Sequence, residues 1–472
     1  MKLSHSVRAT QVVFDDPNLV SSAGLVPVVR LAESAGLPAL ADRHLSVPSD
    51  KGANAGLKVA SLVAGMVAGA DSIDDMAVLR HGGMGRLFNA AYAPSTLGSF
   101  LRSFTFGHVR QLDAVASRFL AGLAARAPLL PVPAAPTGTL ADWAVLDVDD
   151  TVVEVHGYAK QGAGFGYNHI RGLNALVATL ATNAGAPIIV AQRLRKGSTS
   201  SPRGAKRLVG DAARTASRLL PAGTPVLLRA DSAFYGRPTV AAALAGGAQV
   251  SVTVRLDPRV KTAIAAIGAD AWTRIDYPHP IWDENSGTWV SRAEVAETRF
   301  VAFTSKPKAE QVTGRLVVRR IPDHNHNKST GQDTLFDTWR FHAFFTTTSP
   351  EVFDTVTADK THRGHAIIEQ VHADLKNSAL AHLPSGVFTA NAAWLVCAVI
   401  AFNLTRAAAT LAADDLAKAT GPTVRRKLIT VPARIATSAR RVVLHLPTSW
   451  PWQDGWTRLF NNTTGPPAAA PT

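Results

Sequence analysis

The spacing of apolar residues changes along the chain and divides it into regions of different predicted structure. Up to about residue 125, apolar residues recur at mixed three- and four-residue steps, which predicts amphipathic helices. Runs of β-branched and apolar residues then alternate with helical spacing, and this alternation predicts an α/β core. From 248 to 348 strand-like runs dominate, beginning with one at period two. Helical spacing returns after residue 349.

The same spacing, together with residues that start helices, predicts the individual elements. The predicted helices cover 25–35, 56–70, 72–80, 96–123, 206–220, 259–266, 362–380, 390–413 and 424–441. The predicted strands cover 143–155, 187–193, 225–230, 249–256, 298–303, 315–321 and 339–348. The Pro- and Ala-rich tail at 465–472 is predicted to be disordered.

A proline-rich segment separates the helical region from the α/β region. Pro128, Pro131, Pro133 and Pro136 fall within one short stretch. So many prolines exclude a helix or a central strand, because each lacks the backbone N–H that these elements need. We therefore predict a linker and a domain boundary at 126–141.

The balance of charges favours a polyanionic partner. Lysine and arginine number 49 against 35 acidic residues, which gives a net charge of +14 and a pI near 10.2. Nucleic acid is the usual partner of so basic a protein, and an anionic membrane surface is the other candidate. The single cysteine, Cys397, excludes an intramolecular disulfide and a multi-cysteine zinc site. Its apolar run at 392–402 is shorter than the roughly 20 residues that span a bilayer.

Three carboxylates interrupt the apolar strand predicted at 143–155. Asp147 and Asp149 are two residues apart and should point to one face, whereas Asp150 should point to the other. Ionised carboxylates in an apolar strand need a cation or hydrogen-bond donors. Converging carboxylates are the ligands that Mg²⁺ or Mn²⁺ prefers, so this strand is a candidate metal site. A strand at a sheet edge with solvated acids is the alternative.

A second acid ends a later strand. Asp231 follows the apolar run at 225–230 and precedes a turn. The carboxyl ends of strands form the functional edge of open α/β sheets, so Asp231 is a candidate site residue. An Asp that caps the following helix is the alternative.

A third motif places polar residues on one face of a predicted helix. His362, His365, Glu369, His372 and Lys376 follow one another at steps of three and four residues. The other side of this helix is apolar, which suits packing on a sheet. One acid among potential cations suits a site for a metal and an anion, and a solvated amphipathic helix is the alternative.

Together these motifs resemble the DDE transposases of bacterial insertion sequences. The similarity is to the branch whose acid helix carries a Tyr-x2-Arg-x3-Glu-x6-Lys signature, and within it to the group numbered thirteen-eighty. Glu369 and Lys376 keep the signature spacing, whereas His362 stands at its Tyr position and His365 at its Arg position. The Asp-x-Asp-x-Thr strand and the Ala-Asp-Ser-Ala-Phe-Tyr run around Asp231 are also similar to that group.

The resemblance implies an RNase H-like α/β core in which Asp149, Asp231 and Glu369 hold two Mg²⁺ or Mn²⁺ ions. Asp149 matches the family position two residues before Thr151, and Asp147 remains a possible further metal ligand. The resemblance also implies double-stranded DNA as partner, cut-and-paste movement between terminal inverted repeats, and a homodimer that pairs the two ends. We expect a cytoplasmic, nucleoid-associated protein without membrane association.

The expected DNA-phosphate contacts combine the signature positions with two basic clusters. They are His362, His365, Lys376, Arg193, Arg195, Lys196, Arg425, Arg426 and Lys427. The expected division is a helical DNA-binding region at 1–125, a linker at 126–141, the first part of an RNase H-like mixed-sheet core at 142–247, a β-rich insertion at 248–348, the second part of the core with the acid helix at 349–415, a basic C-terminal region with helices at 416–464, and the tail at 465–472.

Two other functions fit parts of the sequence. Asp147, Asp149 and Thr151 also match the Asp-x-Asp-x-Thr loop of haloacid-dehalogenase-like phosphatases, with Asp147 as the nucleophile. That family needs a later acidic pair, and Asp211 has no second acid at the required spacing. A catalytically inactive DNA-binding protein derived from a transposase is the other alternative, because the helical region and basic clusters would suffice for it.

Overall fold

The computed structural model describes residues 4, 9–48, 50–88, 91–135, 137–167, 169–283, 287–322, 339–438 and 441–464. The tail predicted at 465–472 lies outside these residues. The N-terminal region is helical, as its spacing predicts. Its elements are β1 (Leu19–Val20), α1 (Leu25–Ser34), α2 (Leu37–His44), α3 (Ala55–Ala68), α4 (Met84–Leu87), α5 (Pro94–Arg102) and α6 (Phe106–Ala124).

The single helix predicted at 96–123 is two helices, because Thr105 starts a new one. Its side chain accepts a hydrogen bond from the His108 backbone N–H, and the His108 side chain accepts one from the Thr105 backbone. This reciprocal cap satisfies N–H groups that the first turn of a helix leaves unpaired. The helix predicted at 72–80 is a 3₁₀ turn at Asp74–Leu79.

The region after the linker is a mixed α/β core. Its elements are β2 (Ala144–Glu154), β3 (Gly164–Phe165), β4 (Arg171–Thr182), β5 (Ile188–Lys196), α7 (Ala205–Leu219), β6 (Val226–Ala230), α8 (Arg237–Ala245) and β7 (Ala248–Thr253). Strands β5, β4 and β2 are antiparallel neighbours, and β6 and β7 continue the sheet in parallel with β2. Strand β4 is buried along most of its length and carries no alternation that sequence analysis could detect.

The β-rich segment at 248–348 extends this same sheet. It adds α9 (Pro258–Ala265), β8 (Thr273–Asp283), β9 (Thr288–Ala302), β10 (Val312–Pro322) and β11 (Trp339–Thr346). In the described residues the sheet has ten strands in the order β3-β4-β2-β6-β7-β11-β10-β9-β8, with β5 also paired to β4. The segment predicted as an insertion thus begins inside the parallel part of the sheet, with β7, and its last strand returns beside β7.

The C-terminal part returns to helices and ends in a hairpin. Its elements are α10 (Thr355–Arg363), α11 (Ile367–Lys376), α12 (Phe388–Ala412), α13 (Asp414–Ala417), α14 (Gly421–Val424), β12 (Ala433–Ser438), β13 (Arg441–His445) and α15 (Gln453–Thr464). The helix predicted at 424–441 is wrong. A π-helical turn at Arg425–Ile429 is followed by β12 and β13, because Pro432 cannot continue a helix and β12 pairs with β1.

Helix α12 is the central helix of the molecule. By length and composition it could cross a membrane, but 78% of its most apolar stretch is buried inside the protein. It packs on α1, α3, α5 and α6 and on β5 of the sheet. The Asn403 side chain accepts a hydrogen bond from Ile189 N and donates one to Ile189 O, at 2.9 and 2.8 Å. Helix α12 therefore joins the N-terminal helices to the sheet in one continuous core.

Candidate active site

Two acids meet where β2 and β6 run side by side. Val148 on β2 pairs with Ala230 on β6 in parallel register. The residue that follows each of them is an aspartate, Asp149 after Val148 and Asp231 after Ala230. Strand β6 ends there, whereas β2 continues for several residues along β4. The sheet register thus places the two carboxylates next to each other at the carboxyl end of β6.

Partial removal from solvent is the main influence on the pKa values of these two carboxyl groups. Burial raises the pKa of Asp149 to about 7, and the nearby charges of Asp231 and Asp150 contribute to the rise. Burial also raises the pKa of Asp231. His365 partly offsets both shifts, because a positive charge there favours the ionised carboxylates. Asp149 is half-buried and Asp231 is exposed, and two neighbouring carboxylates that repel each other form a site that favours a cation.

Asp147 lies in a different environment from Asp149. Its side chain is 1% exposed, and the Arg229 guanidinium donates to both of its carboxylate oxygens at 2.7 Å. Asp147 and Arg229 are facing residues on β2 and β6, one pleat before the aspartate pair. A phosphatase nucleophile must reach a phosphate, and this enclosure therefore argues against the phosphatase interpretation.

The Asp147–Arg229 pair also holds the segment that leads into the acid helix. Arg229 Nη1 donates to the Thr361 carbonyl oxygen at 2.5 Å, and His365 Nδ1 lies 2.9 Å from Asp147 Oδ1. A Cβ on Gly364 would lie 2.5 Å from Arg229 Nη1, so glycine is required where the guanidinium passes. The helix predicted at 362–380 is consequently interrupted by a 3₁₀ turn at Gly364–Ala366.

Asp150 has its own buried partner. The Arg195 guanidinium donates to Asp150 Oδ2 at 2.7 Å, and the Asn174 amide donates to the same oxygen. Arg195 also donates to the carbonyl oxygens of Ser201 and Arg203, both at 2.7 Å. Arg195 is buried at 7% exposure, so the structure places this expected DNA contact inside the protein. A buried arginine needs a carboxylate partner, and Asp150 supplies it.

Glu369 lies on α11 between two residues that approach the β2 acids. His365 contacts Asp147, and His372 Nδ1 lies 3.7 Å from Asp149 Oδ2. His365 precedes α11 in the 3₁₀ turn, whereas Glu369 and His372 are three residues apart on α11 and are therefore neighbours on its surface. The Glu369 side chain is exposed, and α11 packs across β2.

His372 is the residue on this face that sequence analysis left without a role. Its side chain is buried, and its Nε2 atom has no hydrogen-bond partner among the residues that the structure describes. Burial lowers the pKa of His372 to about 4, so the imidazole beside Asp149 is neutral near pH 7. The helix-face spacing was the signal that could have assigned it to the site.

His362 is placed away from the DNA-facing role that the resemblance implies. Its two ring nitrogens each lie 2.9 Å from a hydroxyl of β7, those of Ser251 and Thr253. The ring stacks on Phe344 with centroids 4.1 Å apart. Burial lowers the pKa of His362 to about 3. A neutral imidazole enclosed in this way joins α10 to the sheet and carries no charge for a phosphate.

The remaining expected phosphate contacts differ in exposure. Arg193 is half-buried, with Nη2 at 3.4 Å from Asp211, whereas Lys196 and Lys376 are exposed. In the C-terminal cluster Arg425 is partly buried, and burial lowers its pKa. Arg426 and Lys427 lie over the Trp452 ring at 6.0 and 5.4 Å. The residues of the two basic clusters therefore differ in exposure, and only some of them are fully exposed.

The aspartate pair has the chemistry of a metal site, but the third expected ligand does not join it. In the part of the chain that the structure describes, no group of three or more His, Cys, Asp and Glu side chains is arranged to hold a metal ion. Asp149 and Asp231 fit a divalent cation, because oxygen ligands with unfavourable mutual charge gain most from one. Glu369 would have to turn its exposed side chain toward them.

One protein family and one solved structure show how this chain relates to known proteins. No curated protein matches the chain. Among solved structures, a piggyBac transposase synaptic complex with hairpin DNA is similar, with 9% sequence identity, coverage of 88% of this chain and 79% of that chain, and a TM-score of 0.41. The family described as "Transposase DDE domain group 1" matches residues 4–464. Because this match spans nearly the whole chain, the protein belongs to the DDE-domain transposases of group 1.

Proposed function

We propose that this transposase cleaves DNA at terminal inverted repeats and joins the freed ends to target DNA, using two divalent ions held by Asp149, Asp231 and Glu369. One observation carries the assignment. The parallel register of β2 and β6 puts Asp149 beside Asp231, and burial raises the pKa of both. Asp231 also caps the turn that follows β6, since its side chain accepts a hydrogen bond from Ala233 N at 2.9 Å, but a cap alone does not explain a second carboxylate beside it, because each destabilises its ionised neighbour.

Further support for an RNase H-like core comes from the sheet. Strands β5, β4 and β2 are antiparallel, and β6 and β7 continue in parallel, so the strand with the first acid lies centrally among five. The second acid follows the neighbouring strand, and α11, which carries Glu369, packs against β2. This order brings residues far apart in sequence toward one edge.

The proposed reaction assigns different roles to the residues of this chain. Asp149 and Asp231 bind the cations, and Glu369 completes the ligand set from α11. The bound Mg²⁺ or Mn²⁺ would supply Lewis acidity for an in-line displacement at phosphorus, which requires no protein nucleophile. His365, held by Asp147, contributes electrostatically toward both aspartates. Lys196, Lys376 and Arg426 are exposed cations for DNA phosphates.

We also propose a cut-and-paste route, a homodimer that pairs two transposon ends, and a cytoplasmic, nucleoid-associated location. The net charge of +14 supports double-stranded DNA as the partner. A protein that must act on two ends at once gains from two copies of one site, which supports the dimer.

The test is metal-dependent nicking of DNA that carries the inverted repeats flanking the gene. Asp149→Asn and Asp231→Asn should each lower cleavage at least about a hundredfold while DNA binding persists. Asp454→Asn, at an exposed position on α15, is the matched control and should cleave normally. Binding without metal-dependent nicking by the unaltered protein would support the inactive DNA-binding alternative instead.

A further inference from the structure

The loop between β2 and β4 presents aromatic side chains to solvent. We call residues 156–167 and 169–170 the aromatic loop. Tyr158 and Tyr167 are 100% and 102% exposed, and Phe165 is 65% exposed. Several large exposed aromatic side chains on one short segment indicate a binding site more strongly than a single one does, since they contribute nothing to the core. Stability does not explain their presence on one loop.

The backbone of the aromatic loop is firmly held, although its aromatic side chains are exposed. Arg171 Nη1 donates to the Gly157 carbonyl at 2.8 Å, and Nη2 donates to the Tyr158 carbonyl at 3.4 Å. Gln161 N donates to Gly386 O at 3.0 Å, and Gln161 Oε1 accepts from Phe388 N at 3.1 Å. The loop is thus tied both to its own base and to the start of α12.

Glycines allow this close attachment. Gly197 N donates to Gly162 O at 3.0 Å, which ties the loop to the end of β5. A Cβ on Gly162 would lie 2.9 Å from the Phe388 ring, and one on Gly197 would lie 2.0 Å from Gly172 O. The glycine-rich run that includes Gly162 and Gly164 therefore serves packing of the loop. A loop ordered in this way loses little entropy when a ligand binds.

The aromatic loop lies beyond the carboxyl end of β6, on the same side as the aspartate pair. Strand β2 continues from Asp149 to Glu154, and the loop begins after Val155. At about 3.3 Å per residue, Val155 is roughly 20 Å from Asp149. A nucleic acid strand with a phosphate at the aspartates would reach the loop within about six nucleotides.

The charge of the aromatic loop is complementary to nucleic acid. No acidic residue occurs between Val155 and Arg171, and the Arg171 guanidinium supplies a positive charge at the base of the loop, whereas the Lys160 ammonium is half-buried and donates to the Leu383 carbonyl. The Arg171 guanidinium lies 6.0 Å from the Tyr158 ring centroid, and exposed Lys196 follows at the end of β5. Cations interleaved with aromatic rings characterise surfaces that follow a phosphate backbone and stack on bases.

From these observations we infer that the aromatic loop binds unpaired bases of a DNA strand next to the active site, with Tyr158 and Tyr167 as stacking platforms. This inference rests on the proposed function, which brings DNA to the aspartate pair. Stacking tolerates any sequence, because every base has an aromatic face. The loop would therefore distinguish opened from fully paired DNA and would not select a particular sequence.

The test compares two fluorescent probes bound by the full chain. One is a duplex of about 20 base pairs, and the other is the same duplex with a single-stranded arm of about ten thymidines. The unaltered protein should bind the forked probe about tenfold more tightly than the blunt one. The double variant Tyr158→Ala/Tyr167→Ala should lose this preference and keep its affinity for the blunt probe.

The matched control is Phe14→Ala, since Phe14 is 101% exposed and lies outside the aromatic loop. It should keep the preference for the forked probe. An equal loss of affinity for both probes in the double variant would overturn the inference, as would a protein without preference for forked DNA. A lower mass in light scattering with an unchanged preference would show instead that the loop joins two copies of the chain. Failure of the unaltered protein to bind either probe would contradict the proposed function itself.

Discussion

Arg229 on β6 contacts both carboxylate oxygens of Asp147 on β2 at 2.7 Å, and both side chains are buried. The pair lies two residues before Asp149 and Asp231 on the same two strands. The charge of Asp147 is neutralised by Arg229, whereas Asp149 and Asp231 are two neighbouring carboxylates. This arrangement separates the two candidate first ligands. Asp147 is satisfied by the protein, whereas Asp149 is available to a cation.

We therefore predict that Asp147→Asn is mainly a stability variant. Removing one partner of a buried ion pair leaves an uncompensated charge on Arg229 and should lower the free energy of unfolding by about 3–5 kcal/mol. Urea denaturation would measure this loss. If Asp147→Asn keeps normal stability but abolishes cleavage, while Asp149→Asn still cleaves, the assignment of the first ligand is wrong.

The raised pKa of Asp149 predicts a particular pH dependence without metal. In the unfolded chain this carboxyl loses its proton near its ordinary pKa of 3.8, and in the folded protein near about 7. The folded state therefore holds the extra proton between these values, and stability falls as the pH rises from about 4 to about 7. Asp149→Asn removes this contribution.

The measurement is the free energy of unfolding in EDTA across that pH range. The difference between Asp149→Asn and the unaltered protein should grow in favour of the variant as the pH rises. Other acids, such as Asp113 with a pKa raised to about 6 by burial, titrate in both proteins and cancel in the difference. Parallel profiles would contradict the assigned environment of Asp149.

Divalent ions should stabilise the protein through the same carboxylates. A ligand at a hundred times its dissociation constant adds about 2.7 kcal/mol to the free energy of unfolding. Thermal unfolding with increasing Mn²⁺ should therefore shift upward, and the shift should disappear in Asp231→Asn. Glu369→Gln should reduce it, and Asp454→Asn should leave it intact. A full shift in Glu369→Gln would show that Glu369 is not a ligand.

His365 stands where the Tyr-Arg-Glu-Lys signature, which the sequence resembles, has arginine. The imidazole contacts Asp147 at 2.9 Å and faces the aspartate pair. Arginine keeps its charge at any ordinary pH, so His365→Arg should preserve or raise strand cleavage near pH 8. His365→Gln, whose side chain cannot carry a positive charge, should lower it. Initial cleavage rates would decide, and a sharp loss in His365→Arg would refute the electrostatic role.

Two neighbouring cations should behave in opposite ways. Arg195→Ala strips a buried partner from Asp150 and should lower the free energy of unfolding by about 3–5 kcal/mol. Lys196→Ala should leave stability unchanged and reduce the salt dependence of DNA binding by about one phosphate contact. Denaturation and salt titration of binding measure the two effects. Equal stability of both variants would contradict the structural role of Arg195.

The order of elements was predictable where one face is clearly apolar, as in α7 and β2. The buried strand β4 has no alternation of polar and apolar residues to detect. The spacing at 424–441 predicts a helix where β12 forms, because the pairing partner of β12 is β1, at the other end of the chain. Local sequence carries no information on such distant pairing. The sequence likewise does not reveal that the strands of the segment at 248–348 belong to the same sheet as the core, because this depends on which strands are neighbours.

Within the candidate site, the spacing of motifs singles out three acids but does not indicate which partners they have. Arg229 lies two residues before Asp231, as Asp147 lies two before Asp149, and this symmetry was a usable signal for the buried pair. The enclosure of His362 depends on Phe344 and β7, which are distant in sequence, so its loss of a DNA-facing role could not be foreseen.

The central position of α12 has a consequence for how the protein is made. The N-terminal helices pack on α12, and β1 pairs with β12. The N-terminal helices and β1 therefore cannot complete their packing until these later segments have been translated. Asp149 and Asp231, in contrast, lie on strands that are adjacent in the sheet and complete once β6 has left the ribosome. A nascent chain can therefore assemble the aspartate pair before the acid helix exists, but it gains a closed fold only when synthesis is nearly finished.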